Sequence, residues 1–67
     1  MMKNFSKTVW IDQSYSYTIE SCYDSDEYVW TLNFDGFALA DGYESTVKDA
    51  ERKALMSHRD QEEYLAS

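Results

Sequence analysis

Thirteen carboxylates, six lysines or arginines, one imidazole and one thiol are the groups in this 67-residue chain that could do chemistry, and they are unevenly placed. Between Thr8 and Val47 there are eight acidic residues, Asp12, Glu20, Asp24, Asp26, Glu27, Asp35, Asp41 and Glu44, and no lysine or arginine. All six basic residues fall in the first seven positions or beyond Val47. Behind the formal net charge of −7 there is thus a long stretch of one sign. A field of that kind repels nucleic acid and attracts proteins whose grooves hold phosphates. The eight carboxylates are the candidate partner-binding set. The plainer reading is an acidic domain whose charge only keeps it dispersed.

Other chemistries fit poorly. Asp24-Ser25-Asp26-Glu27 has alternate carboxylates like the start of a calcium loop, but no glycine stands at the sixth position and Asp35 replaces the glutamate at the twelfth. His58-Arg59-Asp60 spells the triplet of a protein-kinase catalytic loop in a chain far too short for a kinase and without its glycine-rich loop. His58 is expected at the edge of the core, bonded to a tyrosine hydroxyl or to water. Cys22 has no basic neighbour in sequence, and nearby carboxylates disfavour its thiolate. The rings of Tyr15, Tyr17, Tyr23, Tyr28, Trp30, Phe34 and Phe37 lack the lysines and arginines of a single-strand-binding platform, so they read as core. Trp10 and Tyr43 fall outside that pattern and suit interface anchors. No catalytic, metal or cofactor site is expected, and the protein is expected not to be an enzyme.

The elements that carry these residues follow from periodicity. Tyr28, Trp30, Leu32 and Phe34 alternate with Val29, Thr31 and Asn33, as in a strand with one apolar face. Asp35-Gly36 between two such runs predicts a type I′ hairpin, pairing Phe34 with Phe37 and Leu32 with Leu39. Ser14 to Tyr23 alternates as well, with Tyr15, Tyr17, Ile19, Ser21 and Tyr23 on one side. Pairing Tyr23 with Tyr28 sets Ile19 opposite Leu32 and Tyr17 opposite Phe34, so the apolar faces coincide. Thr8 to Ile11 has strand propensity, and Asp12-Gln13-Ser14 interrupts it as a bulge or turn. Gly42 is expected to end the last strand.

Ser45 or Thr46 then caps a helix to about Tyr64, with Asp49 three residues after Thr46. Val47, Ala50, Ala54, Leu55, His58 and Leu65 share one side of it, and Asp49 and Lys53 are spaced for an ion pair. The expected fold is α+β: a three-stranded, or four-stranded, antiparallel meander with one C-terminal helix on one face. Residues 1–67 form a single domain, with 1–7 loose, 8–41 in the sheet and 46–64 in the helix. The sheet's other face should be wet.

The lone cysteine cannot close an internal disulfide, and no run reaches the roughly 18 apolar residues of a membrane span. With no signal-peptide pattern at the N-terminus, a cytoplasmic, monomeric protein that binds neither membrane nor nucleic acid is expected. A short single domain, one cysteine, a basic-free acidic stretch from Asp12 to Glu44 and a meander-plus-helix pattern together resemble the small acidic anti-CRISPR proteins of phages. That resemblance covers the whole chain in profile and rests on no signature motif. It implies a non-enzymatic inhibitor acting in the host cytoplasm as a DNA mimic, its carboxylates occupying the basic nucleic-acid-binding groove of a CRISPR effector complex. The alternative is a small interaction or regulatory module, such as an antitoxin-like subunit, using its sheet face or an edge strand.

Overall fold

The computed structural model describes residues 5–66. Four strands, β1 (Ser6–Trp10), β2 (Tyr15–Ser21), β3 (Tyr28–Phe34) and β4 (Phe37–Glu44), precede one helix, α1 (Val47–Ala66). The strands form one antiparallel sheet in the order β1-β2-β3-β4. The α+β meander with a C-terminal helix is therefore the fold, in its four-stranded form.

Each turn has a local cause. Between β3 and β4, Asp35 and Gly36 have φ of 51° and 87°, the positive values that a type I′ turn demands of both central residues, and Phe34 pairs with Phe37 as expected. Between β1 and β2, the backbone amides of Ser14 and Tyr15 donate to Asp12 Oδ1 at 2.8 and 2.7 Å. This side-chain turn makes the Thr8 region a separate strand rather than the start of a longer one. The first-strand residues Ser6 and Lys7 are paired with Glu20 and Ile19, so the sheet begins earlier than expected. The rest of the loose N-terminal segment that the sequence suggests, residues 1–4, lies outside the described residues.

The register differs from expectation by two residues. Tyr15, Tyr17, Ile19 and Ser21 oppose Phe34, Leu32, Trp30 and Tyr28. A two-residue shift keeps every side chain on its face, so most of the core set survives. Phe34 and Phe37, read as core rings, are nonetheless 40% and 72% exposed, flanking the Asp35-Gly36 turn at the end of the sheet. Tyr23 leaves the core as well: it lies beyond the end of β2, 82% exposed, in the loop. The hairpin also slips. An irregularity between Leu32 and Asn33 sets Leu32 opposite Ala40 and Asn33 opposite Ala38, which leaves Leu39 out of the pairing and 42% exposed.

That slip places Ala40 and Gly42 on the inner face of β4, under the helix. Gly42 does not end a strand; it lies within β4, opposite Trp30. A Cβ there would sit 2.7 Å from Trp30 Nε1 and 2.9 Å from Cε2 and Cζ2, so the indole lies across the Gly42 backbone. Glycine is required here by close approach.

Thr46 caps α1, its Oγ1 accepting from the Asp49 amide at 3.1 Å. Asp49 pairs with Arg52 at 2.8 Å, one residue nearer than the expected Lys53. Ala50 and Ala54 are fully buried against β3, with β4 and β2 beside it, and close on a core of Tyr15, Tyr17, Ile19, Trp30 and Leu32. Ile19 and Leu32 are 0% exposed. Leu55 and Leu65, expected on this face, are exposed. The 20 residues of the helix span roughly 30 Å, whereas a strand of 7 residues spans roughly 24 Å. The last turn of α1 therefore overshoots the sheet, while Leu55 sits on the flank of the helix. β1 lies outside the helix footprint. Lys7 Nζ reaches Glu51 Oε1 at 3.0 Å, and the Tyr17 hydroxyl donates to Glu51 Oε2 at 2.9 Å, tying β1 and β2 to α1.

Candidate partner-binding surface

The meander sends β1 and β3 one way and β2 and β4 back, so its connections fall at two ends. The β2–β3 loop and the start of α1 share one end; the β1–β2 turn and the Asp35-Gly36 turn share the other. The eight carboxylates divide accordingly. Asp24, Asp26 and Glu27 lie in the β2–β3 loop and are exposed. Glu44 pairs with Tyr28 at the first residue of β3, and Glu20 sits opposite Val29, one step further along. Five of the eight thus gather at the loop end. Asp41, opposite Thr31, is on the outer sheet face nearer the middle. Asp12 and Asp35 are at the far end.

The eight candidate carboxylates therefore do not form one continuous surface. They form a loop-end cluster with one outlying residue and a separate far pair. Antiparallel connectivity is the reason: successive loops alternate between the two ends of a meander, so acids spread along loops cannot all meet.

Local bonding further separates the eight. Asp12 is committed to its turn, and the two backbone amides it accepts hold its carboxyl below the usual aspartate range. Glu44 Oε2 accepts from Trp30 Nε1–H at 3.4 Å and turns toward the helix side. Glu20 and Asp41 point from the outer face, on alternate strands. The loop itself is shaped by polar contacts: the Cys22 amide donates to the Glu27 carbonyl at 3.0 Å and the Glu27 amide to Ser25 Oγ at 3.2 Å. Among the described residues, no lysine or arginine is ion-paired with Asp12, Glu20, Asp24, Glu27, Asp35, Asp41 or Glu44. The cation on the sheet, Lys7, is taken by Glu51 of the helix. Arg52 is taken by Asp49.

The loop end also carries apolar surface that sequence reasoning assigned elsewhere. Tyr23 stands beside Asp24 in the loop, 82% exposed. Tyr43, opposite Val29 and hence on the same outer face as Glu20, is 64% exposed. Tyr43 was legible as lying outside the core pattern; Tyr23 was not, because a strand two residues longer would have buried it. Trp10, the other expected anchor, is 66% exposed at the opposite end of the outer face, across from Ser16. His58 does not bond a tyrosine hydroxyl. Its ring meets the Tyr15 ring edge-on at 4.6 Å, and its Nε2 lies 3.0 Å from Glu62.

Chemically, the loop end can present up to five carboxylates and two phenol rings to a cationic partner. The helix N-terminus at that end carries only Lys48 as an exposed cation in its first turn. No described helix is long and apolar enough to cross a membrane. Comparison with protein-family models, curated proteins and solved structures found no match.

Proposed function

We propose that this protein is a non-enzymatic inhibitor that inserts its loop end, Glu20, Asp24, Asp26, Glu27 and Glu44 with Tyr23 and Tyr43, into the basic nucleic-acid-binding groove of a host protein, as a DNA mimic. The observation that carries the reading is the clustering of exposed carboxylates and an 82% exposed tyrosine on one short loop. Carboxylates stand in for phosphates against lysine and arginine, steering encounter and orientation. The tyrosines supply the desolvated aromatic contact that concentrates binding energy. The resemblance to anti-CRISPR proteins directs the partner class toward a CRISPR-type effector complex in the cytoplasm of a bacterial host. The protein acts as a monomer, and Asp12, Asp35 and Asp41 contribute only to the long-range field.

The test is displacement. The tagged chain is used to capture partners from a bacterial lysate at low salt, and each captured protein is then tested for loss of bound DNA or RNA as the chain is added. Stoichiometric displacement is expected, with the association rate falling roughly tenfold or more between about 50 mM and 0.5 M salt. A captured partner that keeps its nucleic acid bound at saturating chain contradicts the proposal. One observation favours a second reading: among the described residues no element packs on the outer sheet face, Trp10 and Tyr43 are exposed on it, and β1 and β4 each have one unpaired edge. An interaction module of the antitoxin-subunit kind would use that face. A partner whose affinity is indifferent to salt and lost on Trp10→Ala would favour it.

A further inference from the structure

Away from the loop end, three side chains of metal-ligating type meet where α1 crosses the β1–β2 turn. His58 and Glu62 are one helical turn apart on α1, and Asp12 comes from the turn. One ligand atom from each lies within 4.8 Å of the other two. His58 Nε2 is buried and makes no hydrogen bond. It approaches Glu62 Oε1 to 3.0 Å, close enough for an ion pair, but off the line that an N–H···O bond requires. A buried imidazole nitrogen left without a bond is costly, and an imidazole nitrogen grouped with two carboxylate oxygens is a donor set that a cation can satisfy.

We propose that Asp12, His58 and Glu62 form a binding site for a zinc-class divalent transition-metal ion, one imidazole nitrogen and two carboxylate oxygens leaving the fourth position to water. The donor set suits a borderline cation, because a nitrogen ligand disfavours magnesium and calcium. The i,i+4 spacing of His58 and Glu62 puts both ligands on one side of the helix, as metal-binding helices require. Two of the three ligands are already held. Asp12 is oriented by the Ser14 and Tyr15 amides on its Oδ1, which Asp35 reinforces by donating its own amide to the Ser14 carbonyl at 2.8 Å. The His58 ring is wedged edge-on against Tyr15, itself only 7% exposed. Outer contacts of this kind fix ligand direction.

Tetrahedral ligands with bonds of about 2.1 Å sit roughly 3.4 Å apart. A set spread over as much as 4.8 Å therefore needs a closure of up to about 1.4 Å, toward which the exposed Glu62 side chain can contribute by rotation. The bound ion would clasp the helix to the β1–β2 turn; among the described residues, α1 is otherwise tied to β1 through Lys7 and Glu51.

The experiment is a calorimetric titration of Zn²⁺ alone into the full chain, with Mg²⁺ as the control for diffuse attraction to an acidic protein, and nitrogen NMR of the imidazole in parallel. One Zn²⁺ per chain is expected, with no comparable Mg²⁺ binding and a large shift of the His58 Nε2 resonance. Asp12→Asn and Glu62→Gln should each weaken Zn²⁺ binding by about tenfold or more. The asparagine of the first variant can still accept the turn amides, and the second changes only an exposed helix position, so both should fold. His58→Gln should abolish binding; if that variant fails to fold, the imidazole resonance of the unaltered chain decides. Equal Zn²⁺ and Mg²⁺ affinities overturn the proposal, and so does Zn²⁺ binding that leaves the His58 nitrogen unmoved. Affinity unchanged in both carboxylate variants overturns it as well.

Discussion

Replacing Gly42 by alanine tests whether the Trp30 ring organises the acidic end of the sheet. A strand glycine with ordinary φ, replaced by alanine, stabilises by about 0.4–1 kcal/mol when nothing opposes the methyl, because the unfolded chain loses freedom. Here the methyl would lie 2.7 Å from Trp30 Nε1 and 2.9 Å from two ring carbons. Ordinary contact begins near 3.5 Å, so the indole must retreat by roughly 0.8 Å. Trp30 is 8% exposed and packed in the core, so this is overpacking, costing about 1–3 kcal/mol. In a domain of this size each kcal/mol moves the melting midpoint by about 4–8 °C, giving a fall of roughly 4–24 °C. The indole also carries the Nε1–H that Glu44 accepts, so its displacement loosens one carboxylate of the loop end. Thermal and urea unfolding of Gly42→Ala, Trp30→Phe and the double variant give the coupling. The smaller ring should relieve most of the cost, with a coupling energy above about 1 kcal/mol. A neutral or stabilising Gly42→Ala, or an equal cost in both backgrounds, refutes the reasoning.

Three further outcomes follow from local structure. Gly36→Ala meets no neighbouring atom but must hold φ of 87°, so it should cost about 1–2 kcal/mol with no relief from Trp30→Phe, measured in the same unfolding series. Thr46→Ala removes the acceptor for the Asp49 amide and should cost about 1 kcal/mol, with helical circular dichroism falling mainly in the first turn. Burial, and then its bond to Glu51, push the Tyr17 hydroxyl up to about 12. Its folded form holds the proton more tightly than the unfolded chain, so this stability is complete below pH 10 and is lost as pH rises toward 12. Tyr17→Phe should flatten that alkaline limb in chemical denaturation. At the acid side, Lys7 first and Tyr17 second lower the Glu51 carboxyl, so its contribution is present above pH 4.5 and fades as pH falls through the lowered value.

Much of the scaffold was legible because its determinants are local. Asp35-Gly36 dictates its own turn, the period of two from Tyr28 to Phe34 sets a face, and Thr46 marks a helix start. Register was the weak point. The apolar alternation of β2 tolerates a two-residue slide, and the observed one sets Tyr15 against Phe34, while the β3–β4 register lays the indole over Gly42. Neither pairing is visible along the chain, since Gly42 looks like a strand terminator until a tryptophan is placed against it. The same slide moved Tyr23 from core to surface.

The candidate site was legible in composition and not in shape. The exclusion of lysine and arginine from residues 8–47 could be read directly. The division of the eight carboxylates between two ends depends on which way each loop points, and that requires the strand order. His58 shows the complementary limit. Glu62 is visible at helical spacing, but Asp12 joins them only because its turn folds back over the helix.

The most direct measurement compares the two ends of the sheet against a single nucleic-acid-binding partner. The chain, an Asp24→Lys/Asp26→Lys/Glu27→Lys variant, a Tyr23→Ala variant and an Asp35→Asn variant are titrated against the same partner while displacement of its nucleic acid is followed. The triple reversal should abolish displacement with the fold intact by circular dichroism. Tyr23→Ala should weaken it by roughly tenfold or more, as expected for an aromatic anchor, and Asp35→Asn should leave it within about twofold, the scale of a distant screened charge. Full displacement by the triple variant, or equal losses from both ends, would contradict an inhibitor that acts through its loop end.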